Sequence, residues 1–128
     1  YDLPTKIHKQ TVHFLLLSAL KENNLAQFEA FDQRFNDHIN TKTRDFWFNR
    51  FGQFYLKHSK YKRALDIFKT GLEKFPESAL LHNAIGDFHK TKGDASQAKK
   101  YYQKAVALAQ KNEDVRLKEF QKDLEGMK

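Results

Sequence analysis

The chain has 128 residues, enough for one domain with a hydrophobic core and too few for two comfortable ones. Hydrophobic residues make up 40% and charged residues 30%, while Gly 5 and Pro 2 fall below average usage, which points to long, rarely interrupted helices. With no cysteine there are no disulfides or thiolate zinc sites, and 23 Lys+Arg against 16 Asp+Glu leave a net charge of +7 that suits acidic partners or nucleic acid. The longest apolar run, "FLLLSAL" from Phe14 to Leu20, is far short of the about 18 residues of a membrane span. The chain opens at Tyr1 without a charged-then-apolar leader, which reads as an excised domain or a processed product; compartment is left open.

In chain order, "HKQTVHFLLLSALKENNLAQFEAFDQRFNDHI" reads as a helical hairpin broken at "KENN", with Leu15, Leu16, Leu20, Leu25, Phe28, Phe31 and Phe35 as its core. Phe28, Phe31, Phe35 and Ile39 fall at i, i+3, i+7 and i+11, the stripe of one helix face. Further breaks at "INTKTRD", "KHSK", "KFPES", "KGD" and "QKNED" bring the expectation to seven helices. Ser78 and Asp94 are placed to cap first turns, Gly93 suits a left-handed helix end, and Pro76 can stop a helix. A last helix from about Asp114 to Gly126 carries the stripe Leu117, Phe120, Leu124.

A spacing of 34 relates Phe48 to His82, Phe51 to Ile85, Gly52 to Gly86, Tyr55 to His89, Ala64 to Ala98, Phe68 to Tyr102, Gly71 to Ala105 and Leu72 to Val106. A fixed period of that size is the mark of stacked repeats. The order Phe48, Phe51, Gly52, Tyr55, Ala64, Phe68, Pro76 resembles the tetratricopeptide repeat. The second copy keeps Ile85, Gly86, Ala98, Tyr102 and Ala105, but has His82 and His89 where rings are usual and Gln110 where the proline would stand. The resemblance implies an all-α fold, a right-handed stack of antiparallel helical hairpins forming an α-solenoid. It divides a single domain into a divergent hairpin over 1–44, repeats over 45–78 and 79–112, and a capping helix over 113–128. Gly52 and Gly86 are expected to admit a close helix approach, with Ala64 and Ala98 as the facing small surfaces. For the first hairpin two registers stay open: aligning "NN" with "SK" gives an offset of 36, and aligning Phe31 and Phe35 with Ala64 and Phe68 gives 33.

Candidate chemistry is sparse. His82 and His89 share a helix face, yet two turns, about 10 Å, separate them, too far for one small metal, and both sit at core-aromatic positions. His8 and His13 do not share a face well, and Ser18 lacks the glycines of a strained nucleophile turn. No phosphate-cradling glycine loop, EF-hand or zinc spacing occurs, so neither catalysis nor a cofactor or metal is expected. Lys57, His58, Lys60, Lys62, Arg63, Lys90 and Lys92 fall at or beside the turns inside the hairpins. Lysine at a helix end complements the dipole without any ligand, and the same residues could instead form an edge for an acidic partner.

The resemblance further implies a groove lined by the first helix of each repeat, here Phe46, Asn49, Gln53, Leu56 and Lys57, then Leu80, Asn83, Asp87 and Lys90. Asn49 and Asn83 have amides able to donate to and accept from a peptide backbone. Ala84 and Asp87 stand where a clamp for an acidic C-terminal tail would need basic or amide groups, so that specificity is not expected. The implied function is a protein-interaction module taking a peptide or partner segment, with an exposed polar face as the plain alternative. Two further readings are a C-terminal accessory region of a larger bacterial enzyme, such as an esterase-like α/β-hydrolase, and a basic helical repeat that binds nucleic acid, which two repeats would read too briefly for specificity. Homodimerisation through the N-terminal face is a further arrangement the sequence allows.

Overall fold

The computed structural model describes residues 9–39 and 44–127, and places seven α-helices among them. They are α1 (Lys9–Lys21), α2 (Leu25–Ile39), α3 (Asp45–Lys57), α4 (Tyr61–Lys74), α5 (Ala79–Thr91), α6 (Ala95–Lys111) and α7 (Leu117–Glu125). The chain divides into two compact units, residues 1–43 and 44–128. None of the described helices is long and apolar enough to cross a membrane.

In the first unit α1 and α2 pack as a hairpin around Leu16, Ala19, Phe28 and Phe31. Leu15, Leu20 and Leu25 are half-buried, while the side chain of Phe35, the break after Ile39 and the His8 and His13 side chains lie outside the described residues. Asp32 is buried as well, which the apolar stripe does not announce. Asn23 adopts φ 58, the left-handed conformation that Ser59 (φ 62) and Gly93 (φ 85) take in the later hairpins. That correspondence selects the offset of 36. It sets Leu16 against Gly52, Phe28 against Ala64 and Asp32 against Phe68, so the small and large members of the contact have exchanged places. Swaps that conserve total volume are the ones a core tolerates best.

In the second unit α3 and α4 form one antiparallel hairpin and α5 and α6 the next, with α5 against both α3 and α4, and α7 against α6. The caps follow the sequence: Ser78 Oγ accepts from the Leu81 N–H at 3.1 Å and Asp94 Oδ1 from the Gln97 N–H at 3.1 Å. Ser78 also donates to Asp45 Oδ2 at 2.8 Å, tying the starts of α3 and α5 together. α4 ends at Lys74, directly before Phe75 and Pro76.

The glycines make room for rings of the partner helix. The ring of Phe68 lies where a Cβ on Gly52 would be, and the ring of Tyr102 lies 2.6 Å from a Cβ added to Gly86. Each glycine is therefore the seat of a ring four residues beyond the alanine, while Ala64 and Ala98 are fully buried beside it. Gly71 does the same between hairpins, since a Cβ there would meet Phe48 and Leu81 at 2.8 Å.

The last helix begins at Leu117 rather than near Asp114. Asp114 and Arg116 close a local fork, Arg116 Nε to Oδ1 at 2.9 Å and Nη2 to Oδ2 at 2.7 Å, and Asp114 also accepts from the Arg116 N–H. This fork holds the Asp114 carboxyl below the usual carboxylate range and raises the Arg116 guanidinium further. It spends the three residues before Leu117 on a turn. α7 then places Phe120 in a cluster with Ala79 and Ala109, flanked by Leu80, Val106, Leu108 and Leu117.

Candidate functional site

The first helices of the two repeats, α3 and α5, lie side by side, so residues one period apart become neighbours. Gln53 Nε2 donates to Asp87 Oδ2 at 2.9 Å and reaches Asn49 Oδ1 at 3.4 Å. Tyr102 Oη donates to the other oxygen, Asp87 Oδ1, at 2.6 Å. One turn earlier on α5, Asn83 Nδ2 donates to Asp123 Oδ2 of α7 at 3.1 Å. The result is a polar ladder, Asn49–Gln53–Asp87–Tyr102 with Asn83–Asp123 beside it, running across α3, α5 and α7 and anchored on α6 by Tyr102.

Burial raises the Asp87 carboxyl above its ordinary value, against the lowering effect of its bonds from Tyr102 and Gln53, and the Asp123 charge pushes it up further. The Tyr102 hydroxyl is raised as well, by burial and by the Asp87 it bonds. A carboxylate accepting two bonds in a half-dry setting is a fixed acceptor and orients the side chains around it.

Of the nine groove residues expected from the sequence, the ladder joins Asn49, Gln53 and Asp87 to one another and Asn83 to α7. Lys57 and Lys90 are exposed at its turn end. Phe46, at 39% exposure, lies at the other end, its ring edge-on to Trp47 at 5.0 Å between centroids. Leu56 and Asn83 are withdrawn instead, at 7% and 6% exposure, and Leu80 packs on the Phe120 cluster. One N–H of the Asn83 amide is engaged by Asp123. Asp123 and Tyr102 are the members that sequence reasoning missed. Tyr102 was read as core only, and Asp123 stands 40 residues from Asn83, outside the repeat period.

Other ring-bearing residues pack within the fold. Phe54, Phe48 and Phe51 are buried, and Trp47 stacks on Phe51 at 5.9 Å. His82 is buried at 5% exposure with Nε2 3.1 Å from the Pro76 carbonyl, and its Nδ1 has no hydrogen-bond partner. Tyr101 lies parallel to both histidines, 6.3 Å from His82 and 5.4 Å from His89 between ring centroids.

Hairpins whose glycines seat rings, repeated at 34 residues and closed by a final helix, define a helical-repeat protein-interaction module. The tetratricopeptide repeat model matches residues 79–112, the second hairpin, and the chain carries that repeat. Among solved structures, PcrH from Pseudomonas aeruginosa is similar in fold, with TM-score 0.70 and 15% sequence identity over 95% of each chain. No curated protein matches the sequence.

Proposed function

We propose that the face formed by α3, α5 and α7 binds an extended segment of a partner protein, without chemistry of its own. The observation that carries this reading is the ladder: Asn49, Gln53 and Asp87 are held by one another at 2.9–3.4 Å, so their remaining donors and acceptors are fixed in direction before a partner arrives. Preorganised polar groups lose little freedom on binding, which is where much of the cost of association lies. Exposed Phe46 supplies an apolar contact at one end, and Lys57 and Lys90 supply positive charge at the other.

The test uses peptides selected against the purified chain from a random display library. Phe46→Ala with Lys90→Ala should weaken the best peptide about tenfold or more, because exposed anchors of this kind contribute about 1 kcal/mol or more each. The melting temperature should stay unchanged. Affinity equal to that of the parent chain places the binding surface elsewhere.

A further inference from the structure

A second surface lies on the edge where the turns inside the two hairpins meet. From Phe54 to Leu65 and from Phe88 to Gly93 the sequence contains no Asp or Glu. The fold brings these stretches together: Lys92 Nζ sits 4.6 Å from the centroid of the Tyr61 ring, and Tyr61 meets Phe88 edge-on at 6.4 Å. Lys57, Lys60, Lys62, Lys90 and Lys92 are all exposed around this junction. Among the described residues none of the five takes part in an ion pair, whereas Lys111 pairs with Glu77 at 2.9 Å at the other end of the hairpins. The carboxylates flanking these stretches are Asp66, one turn into α4, Asp94, whose oxygen is already occupied by capping α6, and Asp87, which is held by Gln53 and Tyr102 and feels the Lys90 charge.

We infer that this lysine edge docks an acidic polypeptide segment, with the half-buried Tyr61 ring as its single apolar contact. Five exposed cations along one edge, each screened over a Debye length of about 8 Å at physiological salt, create a local field that isolated surface lysines do not. Tyr61, His58 and His89 are each half-buried, so no ring at this edge stands fully open for stacking, and this decides between polymer classes. Single-stranded nucleic acid is held by successive bases stacked on several rings, and the neighbouring rings Phe54, Tyr55 and Phe88 are buried. The surface shares Lys57 and Lys90 with the turn end of the α3, α5 and α7 face, so its test rests on Lys60, Lys62 and Lys92, which that face does not use.

The experiment measures fluorescence anisotropy of a labelled oligoglutamate peptide, and of an oligothymidylate of equal charge, against the full chain at low salt. The triple variant Lys60→Gln, Lys62→Gln, Lys92→Gln should bind oligoglutamate about tenfold more weakly, as expected for three exposed charge contacts. The control triple Lys99→Gln, Lys100→Gln, Lys104→Gln on α6 removes the same charge and should change affinity by less than about threefold. Phe46→Ala should leave oligoglutamate binding intact, which keeps this test apart from that of the ladder. The inference is overturned if oligoglutamate does not bind, or if the edge triple binds it as the parent chain does. Equal weakening by both triples would reduce the effect to net charge, and tighter binding of oligothymidylate, lost in the edge triple, would make the edge a nucleic-acid surface; either result overturns it too.

Discussion

Gly86→Ala isolates the contact on which the second repeat depends. Helix propensity alone would favour the change by about 1 kcal/mol, since Gly86 lies inside α5. The packing opposes it, because the new Cβ would come within 2.6 Å of Tyr102 Cδ1 and Cε1. Tyr102 cannot simply swing aside. Its ring is 1% exposed, and its hydroxyl is bonded to Asp87 at 2.6 Å. Overpacking costs about 1–3 kcal/mol, and breaking the Tyr102–Asp87 bond in a half-dry site costs a further 1–3 or so. The net expectation is a loss of about 1–5 kcal/mol, or about 4 °C in melting temperature for each kcal/mol. The assay is thermal and urea denaturation of four chains: parent, Gly86→Ala, Tyr102→Val and the double variant. Tyr102→Val removes the colliding ring atoms, so Gly86→Ala in that background should become neutral or stabilising. Gly86→Ala more stable than the parent, or equally costly in both backgrounds, refutes the glycine-seated ring.

Three other expectations follow from particular side chains. Burial, aided by the Lys104 charge, depresses the His82 pKa below 6.5, while its bond to Pro76 opposes the shift. Its stabilising contribution is therefore complete above pH 6.5 and lost as pH falls from there through the folded value. His82→Phe should flatten the fall in melting temperature between about pH 7 and 5, and an unchanged pH profile would contradict burial of His82 as a neutral imidazole. Phe120→Ala should cost about 3–5 kcal/mol, as for a buried ring in a cluster, and removal of residues 111–128 should unfold or aggregate the chain. A monomeric, cooperatively melting truncation product would contradict the account of α7. Ser59 and Glu113 hold left-handed backbone at φ 62 and φ 52, a conformation costing side-chain-bearing residues about 1–2 kcal/mol. Since glycine loses more entropy on folding, Ser59→Gly and Glu113→Gly should each stabilise by up to about 1 kcal/mol, measured by urea midpoint.

The repeat was legible because packing at one contact imposes residue types at one spacing: glycine where a ring must sit, alanine beside it, and a ring four residues on. The Gln53–Asp87 bond was readable in principle, since equivalent positions of stacked repeats are neighbours. What the sequence concealed had definite causes. In the first hairpin Leu16, Phe28 and Asp32 exchange the sizes that the motif specifies, so only the left-handed residue at Asn23 keeps its place. The start of α7 depends on the Asp114–Arg116 fork, a two-residue device with no periodic signature. The Asn83–Asp123 bond had no signal in the sequence, because α7 has no repeat register to show that Asp123 would reach α5. Of the rings in "FWFNRFGQFYLK", Phe48, Phe51, Phe54 and Tyr55 are buried and Phe46 is the exposed one.

The proposal that a partner segment lies along α3, α5 and α7 is tested most directly by amide chemical-shift mapping of a display-selected peptide on the isotope-labelled chain. The account predicts the largest perturbations at Phe46, Asn49, Gln53, Asp87 and Lys90, with the outer faces of α4 and α6 unmoved. Perturbations centred on Lys69, Lys99 and Gln103 of those outer helices would contradict it.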